Sequence, residues 1–313
     1  IDAFVGGHTH QYMANVIDGV PVIESGAFGV AFGRIDLDVD LATRKVVHVS
    51  VMPPQGVCRD VLVDTGSCAS PKPGQNPRPL VEPATFLGGP IVPSEEIEHM
   101  LAPFRQEVAE LKGEVVATAE RAIGTASRSD ASEIGALVTE EMRAATKRYA
   151  DVPDADFAVQ NTGGLRGGLP RGPVTYGAVY EVLPFDNVLA TFDATGEQLE
   201  ALFTTATRTG RIFQTAGLIQ EISGSGEATT VKLFDEASGK RLLAKKKYTV
   251  VWNDFLANGG DGTRDALPGV TQRIHSSRLL REAVVEGLKA KKAPLNSAKE
   301  PLLDPKKPRI RRT

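Results

Sequence analysis

The chain has 313 residues, of which 41% are hydrophobic and 24% charged, and its formal net charge is -3. This composition is typical of a globular protein that is long enough to bury a sizeable core. The near-neutral charge gives no electrostatic reason to expect nucleic acid or an anionic membrane as a partner. No apolar run approaches the roughly 18 residues needed to span a bilayer.

The first 55 residues are predicted to form strands joined by turns. "IDAFVGG" is typical of a buried strand that ends in a turn, and "RIDLDVDL" and "KVVHVSV" alternate with period two, as half-buried antiparallel strands do. Ile1 is not an initiator methionine, and it lies inside the first predicted strand. We therefore expect this chain to lack its natural beginning.

Residues 56–93 combine a cysteine pair with a proline-rich stretch. Cys58 and Cys68 suit a disulfide that closes a short loop, worth roughly 3 kcal/mol, which favours an exported protein. Two free thiols in a cytosolic protein are the alternative. Seven prolines between Pro71 and Pro93 predict an extended linker.

Residues 94–112 are predicted to form a helix between two domains. Ser94 is a good N-cap, and Glu95 and Glu96 follow it in the first turn. Pro103 is expected to kink the helix. The predicted apolar stripe comprises Ile97, Leu101, Phe104, Val108 and Leu111.

Residues 113–288 are predicted to form a mixed α/β domain. Predicted strands are "EVVATAERA", "DFAVQN", "GLIQEIS", "TTVKLFD" and "KYTVVWNDF", and predicted helices are "ASEIGALVTEEMRAATKRYA", "GEQLEALFTTATR" and "SSRLLREAVVEGLKA". Thr195 and Gln198 have the spacing of a capping box. Residues 289–313 are basic and broken by prolines, and we expect them to be disordered.

Four stretches carry candidate functional residues, although each has an ordinary structural explanation when taken alone. "GGHTH" places His8 and His10 on a loop at a strand end, where two imidazoles can share a metal site but cannot hold a catalytic metal by themselves. "NTGGLRGG" contains Asn161 and Arg166 beside flexible glycines. "LPFDN" and "WNDFLANGGDG" each place a phenylalanine, Phe185 or Phe255, beside polar residues.

The order of these four stretches resembles the 5'-nucleotidase family, over residues 1 to about 50 and about 114 to 267. "FLANGGDG" after "PFDN" is the most specific part of the resemblance. The family pairs a calcineurin-like metallophosphoesterase domain with a nucleotide-binding C-terminal domain. The resemblance therefore implies an α/β (α+β) fold: the end of a metallophosphoesterase sandwich, followed by a mixed α/β C-terminal domain.

The resemblance implies a site for two divalent metal ions, such as Zn, Mn or Co, that hold a bridging hydroxide. His8 and His10 would each bind one metal. The family's other ligands precede this motif, and Asp2, His48, His99 and His275 match none of them. We therefore expect an N-terminally truncated chain that is inactive alone, with these remaining histidines structural or at the surface.

The resemblance also implies a nearly intact substrate half. Phe185 and Phe255 would sandwich the base and Asn161 would bond its edge, with Asn187 assisting. Arg166 would reach the ribose or phosphate, and Asp261 would hold the ribose hydroxyls. Arg128 is the candidate for a further family arginine, although the usual Gly-Asn pair near the next helix start is Gly135-Ala136 here.

The function that follows is metal-dependent hydrolysis of nucleotide phosphate esters, by a phosphoric monoester hydrolase of the 5'-nucleotidase type, in nucleotide catabolism. A 2',3'-cyclic nucleotide phosphodiesterase or a nucleotide-sugar hydrolase would use the same parts. A nucleoside-binding protein without activity and a purely structural module are alternatives from other classes. We expect a nucleotide or nucleoside as the ligand, and a periplasmic, cell-surface or secreted location.

Overall fold

The computed structural model describes residues 1–69 and 79–313. The chain divides into two compact units, Ile1–Pro103 and Phe104–Thr313. No helix in the described ranges is long and apolar enough to cross a membrane.

The first unit consists of short sheets and the start of a helix. The strands of this unit are β1 (Phe4–Val5), β2 (Tyr12–Ile17), β3 (Val20–Ser25), β4 (Ala31–Asp40), β5 (Lys45–Gly56), β6 (Asp60–Leu62), β7 (Val81–Pro83), β8 (Thr85–Phe86) and β9 (Gly89–Pro90). Helix α1 (Glu95–Gly113) begins in this unit and ends in the second.

Strand β3 lies at the centre of a small sheet of order β1-β3-β2, parallel to β1 and antiparallel to β2. Strands β4 and β5 form the predicted antiparallel pair. The Cys58–Cys68 disulfide is confirmed, with the two Cα atoms 5.6 Å apart. The part of the predicted linker at 70–78 lies outside the described residues, whereas β7 pairs with β6, and β8 with β9, so the remainder is not a simple extended linker.

The second unit is the predicted α/β domain. Its strands are β10 (Val115–Ala119), β11 (Phe157–Asn161), β12 (Gly172–Thr175), β13 (Val188–Thr195), β14 (Phe213–Ala216), β15 (Leu218–Ser223), β16 (Thr230–Asp235), β17 (Lys247–Asn253), β18 (Gln272–Leu279) and β19 (Ile310–Arg312). Its helices are α2 (Glu133–Arg148), α3 (Tyr176–Val182), α4 (Gly196–Arg208), α5 (Asp254–Ala257), α6 (Thr263–Ala266) and α7 (Leu280–Ala290).

A five-stranded mixed sheet of order β14-β11-β17-β13-β18 forms the centre of this unit. Its central strands are buried on both faces, and alternate side chains enter two different cores. On β17, Val251 packs with residues of α2 and α7, whereas Val250 and Trp252 pack with residues of α4. The sheet is therefore covered by helices on both sides.

Local capping explains where two of these helices begin. Thr195 and Gln198 form the predicted capping box at the start of α4, with both reciprocal hydrogen bonds present. Ser132 caps α2 by accepting from the Gly135 amide at 3.1 Å. These caps fix the directions in which both helices leave their preceding loops.

The second unit contains strands that were not predicted from the sequence. They are β12, β13, β14 and β18, and "SSRL" belongs to β18 rather than to the last helix. Strand β18 shows no clean alternation because it lies at the sheet edge, where both faces tolerate polar residues.

The prediction of a disordered tail was wrong. Strand β19 pairs in parallel with β15, and Ile310 is 6% exposed in the core. Arg309 is also buried, and its guanidinium donates to Glu140, to Glu236 and to the Thr215 carbonyl. The composition of the tail indicated disorder. The partners that hold the tail are remote in sequence, so they leave no sign in its composition.

Candidate functional site

The two histidines of the first unit lie on a strained loop held by one buried carboxylate. His8 and His10 both adopt positive φ, +70° and +59°, and both are exposed. Glu24, only 4% exposed, accepts a hydrogen bond from the Thr9 hydroxyl at 2.7 Å and one from the Gln11 amide at 3.1 Å. The hydroxyl of Thr9 is the main cause that lowers the pKa of Glu24. Glu24 thereby fixes the loop between the two imidazoles.

These residues do not complete a metal site by themselves. Across the ranges 1–69 and 79–313, no three His, Cys, Asp or Glu side chains are grouped as a metal would require. His10 instead packs edge-on against Phe28, with ring centroids 5.3 Å apart. A dinuclear centre needs more ligands than His8 and His10 supply.

The second unit contains a cleft of about 170 Å³ that brings together three of the predicted site residues, Arg128, Asn161 and Asp261. Its lining is Arg128, Asn161, Thr162, Gly163, Gly210, Arg211, Ile212, Phe213 and Asp261. These residues come from the loop before α2, the end of β11, the turn after α4 and the loop after α5. Two arginines and one carboxylate give the cleft a polar, charged wall.

Asn161 is held at the last position of β11, opposite Phe213 of β14. The side-chain amide nitrogen of Asn253 donates to Asn161 Oδ1 and to Gln160 Oε1, both at 2.9 Å. Asn253 also caps α5 by accepting from the Leu256 amide. One asparagine therefore joins the end of β11 to the loop that follows β17.

The loop that carries Arg128 is held by Gln214 of β14. The Gln214 amide nitrogen donates to the carbonyls of Ser127 and Asp130, and its oxygen accepts from both the backbone nitrogen and the hydroxyl of Ser132. A Cβ at Gly135 would lie 2.2 Å from Gln214 Oε1, so only glycine fits there. Gly135 is thus explained by the close approach of this glutamine.

The loop that carries Asp261 folds back on Phe255. Gly259, Asp261 and Gly262 have φ of +98°, +56° and +78°, a region that is costly for Asp and open to glycine. A Cβ at Gly260 would lie 2.4 Å from the Phe255 ring, so the ring rests directly on backbone. Asp261 forms an ion pair with Arg211, with Nε and Oδ1 3.2 Å apart.

The two predicted clamp phenylalanines are both exposed for their type. Phe185 is 43% exposed and Phe255 46%. The Arg166 guanidinium carbon lies 5.3 Å from the centroid of the Phe185 ring. The Asn187 side chain donates to Asp254, the neighbour of Phe255, at 2.8 Å. This bond ties the two aromatic loops together.

A family profile described as "5'-nucleotidase, C-terminal domain" matches residues 113–268. The chain belongs to the 5'-nucleotidase family. The resemblance deduced from the four motifs is confirmed, and so is the mixed α/β fold.

Three curated relatives match much of this chain. Endonuclease YhcR of Bacillus subtilis is 25% identical over 96% of this chain and 22% of its own length. Cell wall protein Lmo0130 of Listeria monocytogenes is 28% identical over 84% of this chain and 32% of its own length. A 5'-nucleotidase of Vibrio vulnificus is 25% identical over 84% of this chain and 47% of its own length. The chain thus spans about a fifth to a half of these relatives.

The fold of the chain is similar to that of a solved protein, the 5'-nucleotidase precursor from Thermus thermophilus. The TM-score is 0.61 at 23% identity, over 99% of this chain and 59% of that one. This likeness concerns the fold, and the chemistry of the site is argued from the residues themselves.

Within the 5'-nucleotidase domain, the structure divides the predicted residues into two groups. Arg128, Asn161 and Asp261 share the cleft, whereas the lining formed by described residues does not include the aromatic loop residues. That second group comprises Arg166, Phe185, Asn187 and Phe255. Within this group, Asn187 donates a hydrogen bond to Asp254, and the Arg166 guanidinium lies over the Phe185 ring.

Sequence reasoning missed four residues that organise the 5'-nucleotidase domain: Arg211, Gln214, Asn253 and Arg281. Arg281 is buried and donates to the Leu183 carbonyl and to Asp186, which fixes the Phe185 loop. Of the four, only Asn253 carried a local signal, because an asparagine before "DFLA" is a typical helix N-cap. The others act on partners that are remote in sequence.

Proposed function

We propose that this chain provides the nucleotide-binding part of a metal-dependent phosphoesterase that hydrolyses nucleotide phosphate esters, of the 5'-nucleotidase type. One observation carries the proposal: Arg128, Asn161 and Asp261, from three distant segments, line one cleft. Family membership supports a nucleotide phosphoester as the substrate.

In this proposal, Phe185 and Phe255 stack on the two faces of the base. Each stacked face is worth on the order of 1–3 kcal/mol. Their exposed fractions, 43% and 46%, support this role, because large aromatic rings are usually well buried. The Asn187–Asp254 hydrogen bond supports it further, since it couples the two loops that carry the rings.

Asn161 bonds the edge of the base in this proposal. Its oxygen accepts from Asn253, and no residue in the described ranges accepts from its amide nitrogen. That nitrogen is therefore a donor that a base acceptor can use. Arg128 and Arg166 hold the phosphate or ribose oxygens, because guanidinium groups fork two donors onto such groups. Asp261 holds the ribose hydroxyls.

The metal part of the proposal rests on the first unit. His8 and His10 serve as ligands to two divalent ions, such as Zn, Mn or Co, and the ligands that complete the centre are not among the described residues. Glu24 supports this role by holding the loop between the two imidazoles. The disulfide and the cell wall relative support a location outside the cytosol, periplasmic, secreted or at the cell surface.

The proposal is tested by calorimetric titration of the chain with adenosine, without metal. We expect saturable binding that is reduced about fivefold or more by Phe255→Ala, since one stacked face contributes on the order of 1–3 kcal/mol. Phe104→Ala is the matched control, because Phe104 is 64% exposed on α1 and belongs neither to the cleft nor to the two aromatic loops.

Equal binding by the wild type and Phe255→Ala would contradict the clamp. Absence of adenosine binding by a chain that unfolds cooperatively would contradict the nucleotide-binding role itself. Loss of binding in Phe104→Ala as well would indicate a general effect on folding rather than a clamp.

A further inference from the structure

Arg211 lines the same cleft as Arg128, Asn161 and Asp261, yet neither the sequence motifs nor the resemblance gave it a role. It follows the end of α4, where Gly210 adopts a φ of +75° and turns the chain towards β14. The Arg211 amide donates to the Ala206 carbonyl at 2.9 Å. Its backbone is therefore fixed to the helix end.

The segment after Arg211 is also fixed to the loop of Asn161. The Thr162 hydroxyl donates to the Ile212 carbonyl at 2.8 Å, and Phe213 pairs with Asn161 in the sheet. The backbone next to Arg211 is thus held beside Asn161 at the cleft.

The Arg211 guanidinium has two contacts that orient it. Nη1 donates to the Thr209 hydroxyl at 2.8 Å, and Nε lies 3.2 Å from Asp261 Oδ1. Among the described residues, no hydrogen bond occupies the carboxylate oxygens of Asp261, and the ion pair with Arg211 orients them. They are therefore left to accept hydrogen bonds from a ligand.

The ion pair adds to a backbone that already positions Asp261. Asp261, with a φ of +56°, lies in the turn from Gly259 to Gly262, and the Thr263 hydroxyl donates to the Gly260 carbonyl at 3.0 Å. The backbone fixes the position of the residue, whereas the Arg211 guanidinium sets the direction of its side chain.

We propose that Arg211 is a positioning residue that aims the Asp261 carboxylate at the 2' and 3' hydroxyls of a ribose and so selects ribonucleosides over nucleosides that lack these two hydroxyls. The inference rests on the proposed nucleotide-binding function. The 2' and 3' hydroxyls are donors that match the carboxylate oxygens, and a 2',3'-dideoxyribose lacks both of them. Arg211 acts through Asp261 and does not itself touch the sugar.

The test compares adenosine with 2',3'-dideoxyadenosine by calorimetry, using the full chain. We expect Arg211→Gln to weaken adenosine binding about two- to fivefold, the range that partly exposed ion pairs supply. Binding of 2',3'-dideoxyadenosine is expected to stay unchanged, so the ratio of the two affinities falls by the same factor. Arg211→Lys keeps the charge and is expected to recover part of the ratio.

Arg241→Gln is the matched control, since Arg241 forms an exposed ion pair with Glu200 in the same unit and does not line the cleft. A thermal melt verifies the folding of each variant. Equal weakening of the binding of both nucleosides by Arg211→Gln would mean that Arg211 supports the loop and does not contribute to the selection of ribonucleosides. Tighter adenosine binding by Arg211→Gln would mean that Arg211 competes with the ligand for Asp261.

The two proposals fail in different ways. A wild type that binds neither nucleoside overturns the proposed function together with this inference. A wild type that binds adenosine, with an affinity ratio that Arg211→Gln leaves unchanged, overturns only the role of Arg211.

Discussion

Replacing Arg309 by methionine is expected to destabilise the second unit, because Arg309 anchors the C-terminal segment. The side chain of Arg309 is 9% exposed, and its guanidinium donates to Glu236 at 2.9 Å, to the Thr215 carbonyl at 2.7 Å and to Glu140. Removing one partner of a buried ion pair costs about 3–5 kcal/mol. The side chains of Glu140 and Glu236 are 36% and 30% exposed, so water can rehydrate them after the substitution. We therefore expect a loss of about 2–3 kcal/mol.

The assay is urea unfolding followed by tryptophan fluorescence. The chain has a single tryptophan, Trp252, which is 1% exposed in the core of the second unit, so the signal reports on that unit. With a slope of about 2–3 kcal/mol/M, the midpoint is expected to fall by roughly 1 M.

Arg311→Met is the matched control for this experiment, since Arg311 lies two residues further on, in strand β19, and is exposed. We expect it to change the free energy of unfolding by less than about 0.5 kcal/mol. An unchanged midpoint in Arg309→Met, or equal shifts in both variants, would refute the docking of the tail.

Three further predictions concern single residues or pairs. Glu24→Ala is expected to speed hydrogen exchange of the Gln11 amide, measured by mass spectrometry, with exposed Glu82→Ala as the control; unchanged exchange would show that Glu24 does not hold the histidine loop. Burial lowers the pKa of His275 below 6.5, so its contribution to stability is complete above pH 6.5 and is lost as the pH falls through the lowered pKa. The stability of His275→Gln should therefore depend less on pH between about 5 and 7 in urea titrations, and parallel curves would contradict this. Reducing the Cys58–Cys68 disulfide should destabilise the first unit by about 3 kcal/mol, seen as a lower melting temperature than in a non-reduced sample, and an equal temperature would refute it.

Short-range features of the sequence were sufficient for much of the fold. The capping box of Thr195 and Gln198 and the period-two alternation of β4 and β5 depend on residues that are close in the chain, and both are present as predicted. The four motifs likewise led to the correct family, because each motif is contiguous and their order is specific.

The organisation of the cleft depended on contacts between residues remote in sequence. Gln214 bonds Ser132 across 82 positions, Asn253 bonds Asn161 across 92, and Arg309 reaches the Thr215 carbonyl across 94. Apart from the helix N-cap signal of Asn253, no local pattern distinguishes these side chains from ordinary surface glutamines, asparagines and arginines. The tail was therefore predicted to be disordered, and Arg211 and Gln214 were overlooked.

The sequence by itself thus determined the family and the α/β class, and it predicted the residues that we propose to bind a nucleotide. Only the tertiary structure decided that Arg128, Asn161 and Asp261 share one cleft with Arg211. It also decided that the tail adds strand β19 to a sheet. The physical reason is that periodicity and capping arise from neighbours within one turn or one strand. Hydrogen bonds and ion pairs between segments are specified only when the sheet brings their partners together.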